Sequence, residues 1–295
     1  MRKHVILALF ATAVLAAQNP PAKASDVEVA AGGVPIYNVN VVARTTKAIN
    51  YNHRGGPTKI GFSGTVLLPE ATGEARIESK KGAVQVKAEF KNLEPPTRFG
   101  RQYLTYVLWA ITPEGRPRNL GEILTNHNYK GELETSSEVQ AFALVVTAEP
   151  YYAVTEPSDV VVMENVVLPE TLGKVQTVDA KFELLKRGSY TYDKSKADAI
   201  QPEGKKISVD RYEALLEVYQ AKNAVQLARA QGADKHAPDS IRLAEQLLRE
   251  AEAQYAAKQK SKVVVATARQ ATQTAEDARL ISMRKQEQSS EGSAQ

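Results

Sequence analysis

A chain of 295 residues with 43% apolar content is long enough for two domains and apolar enough to bury a core in each. It has no cysteine, which excludes disulfides, thiolate metal sites, a cysteine nucleophile and a lipid-modified N-terminal cysteine, and four histidines leave little for a histidine-rich metal centre. The formal net charge of +4 falls to about +1 once Arg2, Lys3 and Lys23 are assigned to an export signal. The remaining charges are interspersed in sign, a pattern of solvated surfaces and not of nucleic-acid binding.

The N-terminus has the layout of a secretory signal. Met1-Arg-Lys-His is positive, and Val5 to Ala17 is an apolar run of about thirteen residues, short of the roughly 20 that a transmembrane helix needs. Ala22-Lys23-Ala24 offers small residues for cleavage after Ala24, with cleavage after Ala17 as the alternative. Residues 1–24 are therefore read as a signal peptide and 25–34 as an extended leader. The mature chain is expected in the periplasm or outer cell envelope, without a transmembrane helix.

From 35 to 187 the pattern is that of strands. Val84 to Phe90 alternates apolar and polar residues, as a half-buried strand does, and Lys80-Lys81-Gly82 reads as the hairpin leading into it. Tyr103 to Ile111 is the most apolar and aromatic run and predicts a central strand covered on both faces. Its stripe of Tyr103, Tyr106 and Trp109 is read as core. Thr112 to Pro117 follows as a turn, with Pro113 presetting φ and Gly115 accepting positive φ. Nine or ten short strands separated by Gly, Pro and Asn predict an immunoglobulin-like antiparallel β-sandwich.

Residues 188–207, polar and carrying Pro202 and Gly204, read as a linker that lets two domains move relative to each other. Beyond it, small apolar residues recur at alternating four- and three-residue steps. The rows are Ala214, Val218, Ala221, Val225, Ala228; Ile241, Ala244, Leu248, Ala251, Tyr255; and Val264, Ala268, Ala271, Ala275, Ala278. Each row lies along one side of a helix and suits close helix packing. Ser208 or Asp210 caps the first helix, Gly232 ends it, and Pro238 opens the second; Ser261 caps a third, the alternative being one long second helix with a bend. This predicts an α-helical hairpin or three-helix bundle over 208–286, with 287–295 as a disordered tail.

Two stretches resemble known families. The Tyr-Val-Leu-Trp-Ala-Ile-Thr-Pro-Glu-Gly-Arg-Pro run and the following Asn119-Leu-Gly-Glu-Ile are similar to the extracytoplasmic β-domain of anti-sigma-K factors. So is Ala143-Leu-Val-Val-Thr-Ala-Glu-Pro150 followed by Thr155-Glu-Pro-Ser. That resemblance implies a β-fold and an extracytoplasmic location. Gln220 to Leu280, with Gly232-Ala233, Ala237-Pro238, Leu243-Ala244 and the Ala268, Ala271, Ala275, Ala278 series, resembles the alanine-rich helical domain of unknown function 4398. Its members are exported envelope proteins of Gram-negative bacteria.

The sequence marks no catalytic, cofactor or metal residues. Asn52-His53-Arg54-Gly55-Gly56 lacks a P-loop lysine, Asn126-His127-Asn128 reads as a turn, and neither G-x-S-x-G nor H-E-x-x-H occurs. Tyr151 and Tyr152, set between prolines, are candidates for a recognition loop. Lys258, Lys260, Lys262 and Arg269 are candidates for contact with an anionic surface. The expected role is non-enzymatic: a structural or binding protein of the envelope whose partners are envelope proteins or cell-wall polymer, with self-association through the helices. The alternative is a secreted carbohydrate-active or other hydrolase with carboxylates in a sandwich cleft.

Overall fold

The computed structural model describes residues 27–29, 35–37, 44–51, 56–80, 82–180 and 208–293. The signal peptide, its cleavage sites, His53 and the 188–207 linker lie outside them. The chain forms two compact units, 1–40 and 41–295. In the first, β1 (Val27–Val29) pairs antiparallel with β2 (Pro35–Tyr37). All that follows concerns the second.

Ten strands form its antiparallel sheet: β3 (Arg44–Asn50), β4 (Thr58–Gly64), β5 (Thr72–Lys80), β6 (Ala83–Lys91), β7 (Thr105–Ile111), β8 (Pro117–Ile123), β9 (Gly131–Ser137), β10 (Ala141–Glu149), β11 (Val161–Val166) and β12 (Lys174–Ala180). Eight of them bond in the order β8-β7-β10-β11-β4-β5-β6-β9. The two ends of that path meet. Thr135 Oγ1 on β9 donates to the Leu120 carbonyl on β8 at 2.7 Å, and Thr125 bridges to Gly131. The register between β7 and β8 shifts beside Gly121, whose φ is +132°, and Leu133 of β9 lies 3.3 Å from where a Cβ there would sit. Such an extra residue bends a strand, and the glycine admits both the bend and the close approach.

One curled, nearly closed sheet thus replaces the two separate facing sheets expected of an immunoglobulin-like sandwich. The coarser expectation, a large antiparallel β-structure followed by helices, is what forms. The remaining pair, β12 and β3, joins through the first two residues of β10. Where β10 passes from β3 to β11, the Asn165 side chain joins the strands. Its Oδ1 accepts from Leu144 N at 2.8 Å, and its Nδ2 donates to Lys47 O at 3.1 Å.

The inside of the curl is filled by Phe62, Ile77, Phe90, Tyr106, Leu108 and Leu144, among others. β6 alternates buried and exposed positions as its sequence requires, whereas all seven residues of β7 are buried. The other face of β7, carrying Val107, Trp109 and Ile111, is covered by helices.

The helices are α1 (Val209–Ala230), α2 (Ala233–His236), α3 (Pro238–Ala256) and α4 (Ser261–Ser293). Ser208 Oγ accepts from Arg211 N, Gly232 adopts the left-handed conformation at φ +85°, and Pro238 occupies the first turn of α3. All five residues of the first and third alanine rows are buried, as are Ile241, Ala244 and Ala251 of the second. Rows from α1, α3 and α4 form a helical core of Ala214, Val218, Ala221, Leu247, Ala251, Val264, Ala268 and Ala271.

Three expectations change. The helix predicted to end near 286 continues to Ser293, so 287–293 is not a disordered tail. The alanine rows are buried within the chain itself, so they are not the surface of helix-mediated self-association. The sheet and helices are packed against each other and not joined through a linker alone, because Ala224, Val225, Ala228, Ala275 and Ala278 share one apolar cluster with Val107, Trp109, Ile111 and Val145. Small residues on the helices let their backbones approach the bulky face of the sheet. The expected outcome is one cooperative unfolding transition: in a thermal melt, Trp109 fluorescence and helical circular dichroism should have the same midpoint. Two separated midpoints would show that the layers fold independently.

Candidate functional site

The chemistry-bearing side chains gather in the seam between sheet and helices. Strand alternation aims Thr105, Val107, Trp109 and Ile111 of β7, and Ala143, Val145, Thr147 and Glu149 of β10, at the helices, since these residues pair across the ladder. At the centre of the seam the contacts are apolar. At its end they become polar, and every polar group taken from water there must find a partner or lose its charge.

Glu276 of α4 finds partners. Its Oε2 accepts from the Tyr151 hydroxyl at 2.6 Å and Arg279 Nε at 2.8 Å. Its Oε1 accepts from Thr155 Oγ1 at 2.8 Å, Arg279 Nη2 at 2.9 Å and Thr155 N at 3.3 Å. Burial alone would raise this carboxyl, but the hydrogen bonds and the positive charge of Arg279 hold it below the usual range. Tyr151 moves upward, through its own burial and then the negative Glu276 beside it.

Arg269 of α4 forms a second cluster. Its Nη2 lies 2.6 Å from Glu122 Oε2 of β8 and 2.5 Å from Glu217 Oε1 of α1, and its Nε donates to Glu217 Oε1 at 2.7 Å. The guanidinium sits over the Tyr152 ring, 4.6 Å from the centroid. Gln220 of α1 donates to Glu122 Oε1 and accepts from Tyr152 N, both at 2.7 Å. Asn223 donates to the carbonyls of Gln102 and Pro150 at 3.1 and 3.2 Å. Burial, with the negative Glu122 second, pushes the Glu217 carboxyl upward against the pull of Arg269.

A third cluster lies on the sheet. Trp109 Nε1 donates to Thr147 Oγ1 at 2.8 Å, and Thr147 Oγ1 donates to Glu149 Oε1, which also accepts from Ser158 N at 2.7 Å. Glu149 is fully buried.

The recognition loop predicted at Tyr151 and Tyr152 is corrected by this geometry. Tyr151 is 1% exposed and Tyr152 is half-buried beneath Arg269, so the pair fastens helices to sheet. Arg269 likewise leaves the anionic-surface set, since its charge faces two carboxylates of the chain. Lys258, Lys260 and Lys262 are exposed and sit at the α3–α4 junction. His127 lies in an exposed turn where Asn126 Oδ1 accepts from Asn128 N. No His, Asp and Glu group that could hold a metal occurs among the described residues.

The sequence reading missed Glu122, Glu149, Glu217, Glu276 and Arg279. For the helices a signal existed: Arg269, Thr272, Glu276 and Arg279 repeat at three- and four-residue steps, one position after the Ala268, Ala271, Ala275, Ala278 row. A polar row locked in phase with an apolar one marks a buried polar stripe. Comparison of the chain with models of known protein families and with curated proteins finds no match in either set.

Removing one member of the Glu276–Arg279 pair leaves the other charge buried without its partner. Arg279→Ala should therefore cost about 3–5 kcal/mol of stability, and Tyr151→Phe about 1.5–3 kcal/mol, both read from urea unfolding. The triple Lys258→Gln, Lys260→Gln, Lys262→Gln variant should stay within about 0.5 kcal/mol of the parent.

Proposed function

We propose that the protein is an exported component of the bacterial cell envelope with a non-enzymatic structural or binding role, in which sheet and helices act together as one body. The observation that carries this reading is the use of the buried charges. Arg269 of α4 bridges Glu122 of β8 and Glu217 of α1, and Glu276 of α4, paired with Arg279 on its own helix, takes the Tyr151 hydroxyl, so these groups hold layers together instead of facing a substrate. The N-terminal charge, apolar run and Ala22-Lys23-Ala24 support export. The resemblance of the alanine-rich region to envelope proteins supports the same compartment. No helix among the described residues is long and apolar enough to cross a membrane. Partners of this body are envelope proteins or cell-wall polymer, met on its outer surface.

The seam also juxtaposes two carboxyls, Glu122 and Glu217, the arrangement that a carboxylate-based hydrolase would use. Their shared guanidinium and their burial favour the structural role.

Fractionation of cells making the full chain, with mass determination of the mature N-terminus, tests the export reading. The expected product begins at Ser25, or at Gln18, and is found outside the cytoplasm; a cytoplasmic chain retaining Met1 would refute it. Binding of the mature protein to purified cell-wall sacculi, compared with co-purification of envelope proteins, then separates the two partner classes. Polysaccharide hydrolysis abolished by Glu217→Gln would overturn the non-enzymatic role.

A further inference from the structure

We infer that the helix–sheet seam is a proton-held latch, docked while Glu149 and Glu217 carry protons and loosened when they ionise. The geometry starts from an imbalance. Among the described residues, four glutamates, Glu122, Glu149, Glu217 and Glu276, meet in the seam, and two guanidiniums, Arg269 and Arg279, answer them. Glu276 takes Arg279, while Glu122 and Glu217 share Arg269. Glu149 has no cation partner among the described residues.

Two oxygens show where the imbalance falls. Glu149 Oε2 and Glu217 Oε2 are buried without a hydrogen-bond partner among the described residues. An ionised carboxylate with a buried oxygen that finds no protein donor is costly, and retaining a proton removes that cost. Burial pushes the Glu149 carboxyl up to about 8, with Asp159 adding to the rise and Ser158 and Thr147 opposing it.

The groups facing each acid set the direction of the switch. Around Glu149 stand Asp159 and Tyr151 from the loop after β10, and Tyr151 joins it to Glu276 and Arg279 of α4. Around Glu217 stand Glu122 of β8, Arg269 of α4, Tyr152 of the loop and Glu213 of its own helix. Burial pushes Tyr152 up to about 12, and Tyr151 also moves upward, so both remain neutral hydroxyls below pH 9. Glu276 is held low and is already ionised in the neutral range.

Glu149 and Glu217 therefore bind protons more tightly when docked than when exposed. Their contribution to docking is complete below about pH 4.5, the ordinary glutamate value, and is lost as pH rises through the docked value. Release at about 8 rather than 4.5 makes the opening equilibrium rise by about 50-fold between pH 6 and pH 8 from Glu149 alone. Glu217 acts in the same direction. Opening bares the helix-facing side of β7, where Trp109, the chain's single tryptophan, is 0% exposed when docked.

The test is acrylamide quenching of Trp109 fluorescence in the full chain from pH 5.5 to 9 at constant ionic strength, beside urea midpoints over the same range. Quenching should rise and the urea midpoint fall as pH increases. Glu149→Gln, which keeps the shape without a titrating proton, should flatten most of both curves, and Glu149→Gln with Glu217→Gln should flatten them further. A parental protein whose quenching and urea midpoint do not change with pH would overturn the latch. So would a folded Glu149→Gln, Glu217→Gln variant that keeps the parental pH profile. If the double variant does not fold, the urea midpoints of the parent and of Glu149→Gln decide alone: equal slopes against pH reject the proposal.

Discussion

Covering both faces of β7 and β10 is the constraint on which the rest depends. Strands buried on two sides must read as nearly continuous apolar runs, and Tyr106 to Ile111 and Phe142 to Val146 do so. One face closes by curling the sheet until β8 meets β9. The other cannot close that way and needs a separate layer. The alanine rows supply it, because small side chains let α1 and α4 lie close to Trp109 and Val145. The polar groups at the edge of this contact are then removed from water with it, and they become fasteners: Tyr151 on Glu276, Tyr152 under Arg269, Gln220 on Glu122.

Much of this was legible in the chain and some was not. The β7 strand, the Gly115 turn and the β5–β6 hairpin follow from residue type, because burial and positive φ leave local marks. So do the caps at Ser208, Gly232 and Pro238. Curling into one sheet was not legible, because it rests on the meeting of β8 and β9, where the local marks are two glycines, Gly121 and Gly131. The roles of Tyr151 and Tyr152 were misjudged for the same reason. Two tyrosines between prolines have the composition of an exposed loop, and their burial comes from Glu276 and Arg269, more than a hundred residues further along. The carboxyls of the seam are ordinary glutamates by sequence. Burial in the folded chain raises Glu149, and Arg279 on the same helix, with Tyr151 and Thr155 from the sheet side, holds Glu276 low.

The distance along the chain between those partners has a consequence for biosynthesis. Tyr151 meets Glu276 across 125 residues, Asn223 meets Gln102 across 121, and Arg269 meets Glu122 across 147. The sheet is complete by Ala180, whereas its cover begins with α1 and is completed only by α4. At roughly 5–20 residues per second, the nascent chain carries an uncovered aromatic strand face for on the order of 5–20 s before Glu276 emerges. A sheet that finished folding in that interval would present Trp109 and its neighbours to any other apolar surface. The order of the elements in the gene thus leaves this face to be covered last, by helices made only after every strand beneath them.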